Sequence, residues 1–247
     1  MGRIADLKTI AGAVLDGAER QAMIGALKAY RTTALTECPL CGKTAKFRPH
    51  GIFNRAGARC PNCASLERHR LFKLAMDDKF AELSGKSVLH FAPEPAIRKT
   101  AQAQNPSNYV TADIVPGRAD LVLNIEKIDQ PDDTFDCVIC SHVLEHVNDA
   151  LALKEIYRIL RPGGFAILMV PIIESWPNTY EDATITSDED RVRHFGLRDH
   201  VRYYGRDFRD RVVSAGFSLA EYHALGAASV RYGLMRDETV FRADKPA

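Results

Sequence analysis

Apolar and polar residues follow one another along most of the chain in the two periods that distinguish helices from strands. From residue 87 onward, short apolar runs such as SVLHFA and FDCVICSHV have strand character, and stretches of helical spacing such as NDALALKEIYRIL lie between them. Strands rich in Val and Ile that are separated by helices predict a mostly parallel sheet with helices on both faces. Residues 86–247 are therefore predicted to form an α/β domain.

The remaining elements of this domain follow from the same pattern. Strands are predicted at NYVTADI, ADLVLNI, GFAILMVPII, SLAEYHAL and DETVFRA, and helices at PAIRKTAQAQ and RDFRDRVVSAGF. Residues 174–204 are polar, charged and aromatic, with little periodicity. Because a loop of this length inside a domain is usually functional, we expect a lid-like segment there.

Two shorter units are predicted before this domain. Residues 4–30 carry apolar side chains at helical spacing, which predicts one or two amphipathic helices within an N-terminal helical segment, residues 1–36. Residues 65–83 predict a further helix with Ser65 as its N-cap. This helix would link a cysteine-rich stretch to the α/β domain, so the second unit is placed at residues 37–85.

Two of the three CxxC pairs have the spacing of a zinc site. Eighteen residues separate Cys38 and Cys41 from Cys60 and Cys63, and each pair lies in a turn-prone CPxC sequence. Two such turns place four thiolates around one Zn²⁺ and leave no open position, so we predict a structural zinc ribbon. Disulfides would require an oxidising compartment, and redox chemistry would need only one pair.

The third pair, Cys137 and Cys140, lies in the strand FDCVICSHV. Residues three apart in a strand face opposite sides of a sheet, so these two cysteines are not expected to share a metal. They are predicted to be buried as small apolar residues.

Composition and charge exclude several classes of protein. The 247 residues are 46% hydrophobic and 26% charged, which excludes a mainly disordered chain. No membrane span is expected, because no uninterrupted apolar stretch approaches the roughly 20 residues that a span needs. Asp6, Lys8 and Asp16 interrupt the N-terminal stretch, so it is not expected to be a signal peptide, and a cytoplasmic location is predicted.

The charge is unevenly distributed. Residues 1–86 carry 15 Lys and Arg against 8 Asp and Glu, whereas the remainder carries 18 against 24. Residues 37–73 carry 8 basic against 2 acidic residues, but a zinc ion bound by four thiolates contributes a charge of −2 there. This modest excess permits a nucleic-acid partner without favouring one.

Several motifs of the second part occur in an order that resembles a known family. The segments YVTADI, DTFDCVICSHVLEHV and IYRILRPGG resemble the second strand, the fourth strand with its following turn, and the helix end before the fifth strand of class I S-adenosylmethionine-dependent methyltransferases of type 11. The four-cysteine ribbon, SLERHRL and HFGLRDHVRYYGRDF also look like a bacterial subgroup of these enzymes. The resemblance implies a Rossmann-like fold with a mostly parallel seven-stranded sheet, and S-adenosylmethionine as cofactor.

One departure from the family concerns the turn after the first strand. The family has a glycine-rich turn there, whereas this chain reads His90-Phe91-Ala92-Pro93-Glu94-Pro95, with no glycine. Glycines let the backbone approach the cofactor closely. Ala92 is nearly as small, and the prolines fix the shape of the turn.

The resemblance implies a cofactor site at the carboxyl ends of the strands. Asp113 would accept hydrogen bonds from the ribose hydroxyls, and Asn124 and Ile125 would hold the adenine. Glu145 and His146 are expected to cap or pack the next helix. The candidate cofactor-binding residues are His90, Ala92, Glu94, Asp113, Asn124, Ile125, Ser141 and His142.

Methyl transfer to oxygen needs a general base, for which histidine is the usual choice near neutral pH. The catalytic candidates are His200, His142 and His194, with His200 preferred. Residues 188–209 also carry six arginines interleaved with aromatic residues, which suits recognition of a carboxylate or phosphate if this segment closes over the cofactor. The alternative is a solvated loop whose arginines pair with its own aspartates.

The predicted function is methyl transfer to a small-molecule acceptor that is anionic or sugar-like. The alternatives are an RNA methyltransferase that grips its substrate with the basic ribbon, and a binding protein without catalysis. A dinucleotide oxidoreductase would need GxGxxG after the first strand, and the sequence has no such motif there. The sequence does not indicate an oligomeric state.

Overall fold

A computed structural model describes residues 35–51 and 55–247. The helices predicted within residues 4–30 lie outside the described residues. The helices are α1 (Glu67–Asp77), α2 (Pro95–Gln102), α3 (Asp149–Ile159), α4 (Asp188–Phe195), α5 (Phe208–Ser214) and α6 (Gly226–Tyr232), with a 3₁₀ turn at Leu144–His146. The strands are β1 (Thr36–Glu37), β2 (Thr44–Ala45), β3 (Arg48–His50), β4 (Arg55–Arg59), β5 (Ser87–Phe91), β6 (Asn108–Asp113), β7 (Leu121–Val122), β8 (Phe135–Ser141), β9 (Leu160–Met169), β10 (Tyr180–Glu181), β11 (Arg202–Tyr203), β12 (Ser218–His223) and β13 (Thr239–Asp244).

A seven-stranded sheet organises the second part of the chain. Its strand order is β12-β13-β9-β8-β5-β6-β7. The strands from β9 to β7 are parallel, whereas β13 runs antiparallel to both β9 and β12. This is the predicted α/β fold with a mostly parallel sheet. The strand order reverses direction between β5 and β8, which is the switch point where ligands bind in such sheets.

Helices cover both faces of the sheet, as the apolar strands require. Cys140 belongs to a core layer that also contains Leu153 of α3 and Phe208 of α5. Cys137 belongs to the opposite layer, with Phe72 of α1. The two cysteines are fully buried on opposite faces, as their spacing predicts.

Helix α1 is part of the domain core as well as the link to the cysteine-rich unit. Its Leu71 and Phe72 are fully buried in the same layer as Val88 of β5 and Ile139 of β8. The helix begins at Glu67 after Leu66, so the prediction of Ser65 as N-cap is wrong. The Leu66 backbone N–H donates to Nδ1 of His69 (3.1 Å), and this side chain takes over the capping role.

The segment at 174–204 is more ordered than its lack of periodicity predicts. It contains α4, and β10 pairs with β11 in a short antiparallel sheet. Its aromatic core includes Phe195 and Tyr204, which are both buried. Helix α6 was not predicted, and of the predicted strand ADLVLNI only Leu121–Val122 pairs in the sheet.

No helix among the described residues is both long enough and apolar enough to cross a membrane.

Candidate functional site

The four cysteines of the first two CxxC pairs converge on one point. Their Sγ atoms all lie within 4.8 Å of one another. Two short hairpins, β1–β2 and β3–β4, supply the frame. The Cys38 and Cys63 sulfurs are 3.6 Å apart, and those of Cys41 and Cys60 are 3.8 Å apart. Four sulfurs bound to Zn²⁺ at about 2.3 Å stand about 3.8 Å apart, so the cluster has the size of a tetrahedral zinc site.

The surroundings of the sulfurs favour metal binding over disulfide formation. The cysteines are free, and these separations far exceed a disulfide bond length of about 2.05 Å. Ser65 Oγ lies 3.3 Å from the sulfurs of both Cys38 and Cys63. Burial opposes ionisation of Cys63, but hydrogen bonds from Ser65 outweigh it and lower the pKa of that thiol to about 7. Ser65 therefore stabilises the thiolate form that binds metal.

Arg70 ties the cysteine unit to the α/β domain. Its guanidinium is fully buried and donates to the carbonyl oxygens of Ala58 and Ser65 on one side. On the other side it donates to the carbonyl oxygens of Tyr232 and Gly233, at the end of α6. A single side chain thus satisfies backbone acceptors from segments that are far apart in sequence.

The turn after β5 takes the conformation of a glycine turn without a glycine. Ala92 has a φ of 46°, in the left-handed region that usually favours glycine. Its backbone N–H donates to the carbonyl of Ala112 in β6 (2.8 Å). This small side chain lets the backbone follow the path that the family's glycine would give, at some cost in strain.

Glu94 lies in the turn after β5, and side chains of helix α1 bind its carboxylate. Arg68 of α1 donates from Nε to both carboxylate oxygens, at 3.1 and 3.0 Å. Nδ1 of His69 accepts from a backbone N–H, so its Nε2 carries the proton and donates to Glu94 Oε1 (2.9 Å). Burial would raise the pKa of Glu94, but these two partners outweigh it and hold that pKa far below its usual value. Glu94 is therefore a carboxylate beside a guanidinium at the end of β5.

Asp113 lies at the carboxyl end of β6, as predicted. Its Oδ1 accepts from the Val115 backbone N–H (2.8 Å) in a local turn, and Oδ2 makes no hydrogen bond within the described chain. Asn124 also forms a local turn, accepting from the Glu126 backbone N–H (2.9 Å). The Ile125 side chain is buried in the core. Of these three residues, Asp113 offers the clearest free acceptor.

His90 belongs to the packing layer of the sheet. It is fully buried, and its Nδ1 lies 2.6 Å from the hydroxyl of Tyr109 on β6. Burial lowers the pKa of His90 to about 3, so the imidazole is neutral at physiological pH. Its Nε2 is buried without a hydrogen-bond partner in the described chain.

The end of β8 carries a second strained residue. His142 has a φ of 54°, and the adjacent Ser141 Oγ lies 3.4 Å from Glu94 Oε2. The His142 Nδ1 lies 3.1 Å from Glu145 Oε1, and its Nε2 is 3.9 Å from Glu238 Oε1. Left-handed residues other than glycine cluster at functional sites, and Ala92 and His142 follow the two strands that flank the switch point.

The two carboxyl groups beside His142 differ in their pKa. Burial would raise the pKa of Glu145, but the hydrogen bond and charge offered by His142 outweigh it and hold that pKa below its usual value. Glu238 is more than 3.5 Å from His142, and burial raises the pKa of Glu238 to about 7. One buried group is therefore a carboxylate, while the other titrates near neutral pH.

Only two of the three candidate general bases lie at the end of β8. His200 is buried at 8% exposure, and its ring packs edge-on against His146 with centroids 4.6 Å apart. Burial lowers the pKa of His200. Its neighbour Val201 donates a backbone hydrogen bond to the Glu145 carbonyl (3.0 Å), which brings His200 to the end of β8 beside His142. His194 instead contacts the Tyr180 hydroxyl (2.7 Å) on the surface.

Half of the arginines in the 188–209 segment are paired inside the protein. Arg193 pairs with Asp190, Arg202 with Glu181, and Arg209 with both Glu174 and Glu221. Arg202 also donates to the carbonyls of Leu144 and Val147, so it clamps the 3₁₀ turn after β8. These arginines position the segment, but only Arg193 pairs with an aspartate of the segment itself, as the solvated-loop alternative expects.

Several residues of the site were missed from the sequence. Arg68 and His69 belong to the segment SLERHRL, which contributes to the family resemblance but predicts no site residue. Glu145 and His146 were expected to cap or pack a helix. Glu238 lies in a turn before β13 without any motif, so no sequence signal marks it.

Comparisons with known proteins agree with this architecture. The methyltransferase domain family matches residues 76–168, less than half of the chain. A ubiquinone/menaquinone biosynthesis C-methyltransferase of Escherichia coli O1:K1 is 30% identical over 123 residues, which cover 43% of this chain and 48% of the relative. The chain thus spans about half the length of the curated relatives it matches.

Solved structures share the fold at low sequence identity. An S-adenosylmethionine-dependent methyltransferase from Mesorhizobium loti is 11% identical, with a TM-score of 0.52, over 70% of this chain and 96% of its own. The Burkholderia thailandensis 1,6-didemethyltoxoflavin-N1-methyltransferase, solved with 1,6-didemethyltoxoflavin and S-adenosylhomocysteine, is 16% identical, with a TM-score of 0.51, over 73% of this chain and 79% of its own. The sheet order and these neighbours agree on the fold, and residues 76–168 are similar to a methyltransferase domain.

Proposed function

We propose that this protein transfers a methyl group from S-adenosylmethionine to a hydroxyl oxygen of a small molecule. The observation that carries the proposal is the set of polar groups at the carboxyl ends of three neighbouring parallel strands. Glu94 follows β5, Asp113 ends β6, and Ser141 and His142 end β8. In this fold class, ligands bind at that edge of the sheet.

The residues at this edge match the chemistry of the cofactor. S-adenosylmethionine supplies a methyl group on a positively charged sulfur. The free oxygen of Asp113 suits a ribose hydroxyl, and the Glu94 carboxylate suits the ammonium group of the methionine end. The small side chain of Ala92 permits a close approach of the backbone.

The chain's own contribution to the reaction is alignment and removal of a proton. Holding the two reactants in line is worth up to roughly 7–11 kcal/mol in favourable cases. S-adenosylmethionine would supply the methyl carbon and keep the electron pair of the broken carbon–sulfur bond, and a histidine at the end of β8 would accept the proton of the acceptor hydroxyl. His142 and His200 are the candidates, because the structure places both there, whereas His194 lies beside Tyr180.

An anionic acceptor has less support than a neutral, sugar-like one. Arg202 and Arg209 already pair with carboxylates in the protein, which reduces the number of arginines in the 188–209 segment that could bind a phosphate or carboxylate. An RNA substrate has less support for a similar reason. Of the basic residues in 37–73, Arg55 pairs with Glu67, Arg68 with Glu94 and Lys73 with Asp77, and Arg70 is buried. The ribbon therefore presents fewer free cations than its composition indicates.

We also propose that the four-cysteine cluster binds one structural Zn²⁺. The sulfur separations, and a cluster that contains only these four thiols among the described residues, support a closed, four-coordinate site. A cytoplasmic location would keep these thiols reduced.

The first experiment is calorimetry with S-adenosylmethionine, S-adenosylhomocysteine and NAD. We expect the first two to bind and NAD not to bind. Asp113→Ala should weaken S-adenosylmethionine binding by about 1.5–3 kcal/mol, the scale of hydrogen bonds to a charged group. The matched control is Asp129→Ala, an exposed aspartate elsewhere on the chain. Unchanged affinity in a folded Asp113→Ala protein would remove Asp113 from the site.

The second experiment identifies the acceptor class. Protein is incubated with methyl-labelled S-adenosylmethionine and either a small-molecule fraction or purified RNA. We expect label in the small-molecule fraction, stable to mild base as an ether is. Label only in RNA would overturn the small-molecule proposal, and no transfer to either fraction despite cofactor binding would favour a non-catalytic relative.

A further inference from the structure

We propose that Glu145, His146 and His200 form a second metal site, which binds one divalent first-row transition ion. One donor atom of each side chain lies within 4.8 Å of the donors of the other two. Glu145 and His200 are buried, and His146 is half-buried. This cluster and the four-cysteine cluster have no residue in common, so the two sites are distinct.

The fold holds these three residues in place. Glu145 and His146 lie on the 3₁₀ turn after β8, and His200 comes from the segment between α4 and β11. The Val201 backbone N–H donates to the Glu145 carbonyl (3.0 Å), so the two segments are joined next to the site. Arg202 donates hydrogen bonds to the carbonyl of Leu144, which begins the turn, and to that of Val147, which follows it. The donors are therefore preorganised, as a metal site requires.

Two of the candidate donor atoms have no other role in the structure. Glu145 Oε2 and His200 Nδ1 are buried and have no hydrogen-bond partner in the described chain. No hydrogen bond joins the side chains of Glu145, His146 and His200 to one another within the described residues. Buried polar atoms are almost always paired, and an ion is one of the few explanations for two such atoms in one cluster. A bound metal would satisfy both.

The remaining contacts are those that metal ligands usually make. The Asp199 carbonyl oxygen lies 3.0 Å from His146 Nδ1, so Nδ1 carries the proton and donates it. Nε2 is then unprotonated and can bind a metal. His142 Nδ1 lies 3.1 Å from Glu145 Oε1 and fixes the carboxylate, which leaves Oε2. Ligating histidines typically donate their other N–H to a carbonyl or carboxylate, and ligating carboxylates are themselves hydrogen-bonded.

The donor set indicates the class of ion. Two imidazoles and one carboxylate suit Mn²⁺, Fe²⁺, Co²⁺ or Zn²⁺, whereas Ca²⁺ and Mg²⁺ prefer oxygen ligands. Three protein ligands leave coordination positions open. If the proposed methyl transfer is correct, an open position beside the end of β8 would bind the acceptor hydroxyl and lower its pKa, and His142 rather than the ligand His200 would accept the proton. That role rests on the proposed function, whereas metal binding itself does not.

The test is a Mn²⁺ titration of the full chain, followed by electron paramagnetic resonance, after the cysteine cluster has been loaded with zinc. We expect one Mn²⁺ per chain and one zinc retained. Glu145→Gln and His200→Ala should each weaken Mn²⁺ binding at least tenfold while zinc content stays unchanged. The matched control is His223→Ala, a histidine on β12 outside the cluster, which should bind Mn²⁺ like the wild type.

Two results would overturn the site: no stoichiometric Mn²⁺ binding to the wild type, or equal binding by the folded variants. If the variants do not fold, NMR spectra of the wild-type protein with added Mn²⁺ test the site instead. Mn²⁺ should then broaden the imidazole signals of His146 and His200 first, and uniform broadening of all histidines would overturn the proposal. Mn²⁺ binding without any S-adenosylmethionine binding would uphold this site and contradict only the proposed function.

Discussion

The four-cysteine cluster and the Glu145–His146–His200 cluster are both dense in metal-ligating side chains, but they are built in different ways. One CxxC pair lies in the turn between β1 and β2 and the other in the turn after β4, and four identical donors surround one point. The second cluster joins a 3₁₀ turn after β8 to a segment more than 50 residues later in the sequence, and its three donors are mixed. The first arrangement is closed and suits a structural role, whereas the second leaves room for a ligand.

The cysteine cluster and the strand-end site around Glu94 meet at helix α1. Ser65, two residues before the helix, contacts the cysteine sulfurs, and Arg68 and His69 on the first helical turn hold Glu94 at the end of β5. Arg70 fastens the same turn to backbone carbonyls of the ribbon and of α6. The closed cluster therefore supports the strand-end site mechanically, although it contributes no donor to it.

The largest expected effect comes from breaking the closed cluster. Cys60→Ser should abolish tight zinc binding, because one of four thiolates is lost and structural zinc contributes roughly 10–16 kcal/mol of apparent binding energy in small zinc domains. Metal analysis should fall from one zinc per chain to below about 0.2, and residues 38–63 should become sensitive to protease. A Cys60→Ser protein that retains one zinc per chain would contradict the four-thiolate site.

The next effect concerns the connection between the two regions. Arg70→Met should destabilise the protein by about 3–5 kcal/mol, because buried carbonyl groups lose a charged donor that nothing replaces. Denaturant unfolding measures this change in free energy. Arg231→Met is the control, since Arg231 is exposed and its ion pair with Glu37 should contribute little to stability. Equal effects of the two substitutions would show that Arg70 does not join the regions.

Acid should weaken the sheet beside the strand-end site through His90. Its pKa in the folded protein is about 3, below the value of about 6.5 in the unfolded chain, so only the unfolded chain gains a proton as the pH falls below 6.5. His90 therefore contributes stability that is fully present above pH 6.5 and is lost on acidification, by about 2 kcal/mol at pH 5. His90→Gln should flatten the pH dependence of the unfolding free energy by this amount, whereas His223→Gln should not. An unchanged slope in His90→Gln would contradict the neutral buried imidazole.

The smallest expected effect tests the turn after β5. Ala92→Gly should change the unfolding free energy by less than about 1 kcal/mol, in the stabilising direction, because glycine relieves the left-handed strain at φ 46° but has more freedom in the unfolded chain. The affinity for S-adenosylmethionine should be unchanged or higher. A clear loss of stability, measured by thermal unfolding, would mean that the methyl group of Ala92 makes contacts that outweigh the strain.

The sequence predicts the fold of the second part well because its signals are local. The runs SVLHFA, NYVTADI and FDCVICSHV became β5, β6 and β8, and PAIRKTAQAQ became α2, since apolar periodicity is a property of neighbouring residues. The CxxC spacing likewise brought four sulfurs together as expected. The residues predicted at the strand ends lie there because strand polarity fixes that edge of the sheet.

The parts that were missed depend on contacts between distant segments. Nothing near Glu94 in the sequence indicates that Arg68 and His69 bind it, and nothing near Glu145 points to His200. Helix α4 and the β10–β11 pair were missed because their polar composition has no clear period, and tertiary contacts such as that of Arg202 with Glu181 hold them. Local pattern cannot reveal such partners.

The most direct test of the account is amide hydrogen exchange with and without saturating S-adenosylhomocysteine. The cofactor site proposed at the carboxyl ends of β5, β6 and β8 predicts slower exchange in residues 92–95, 113–116 and 141–146, and unchanged exchange around the cysteine pairs. Protection confined to other parts of the chain, or none at all when calorimetry shows that the ligand is bound, would contradict the proposed site.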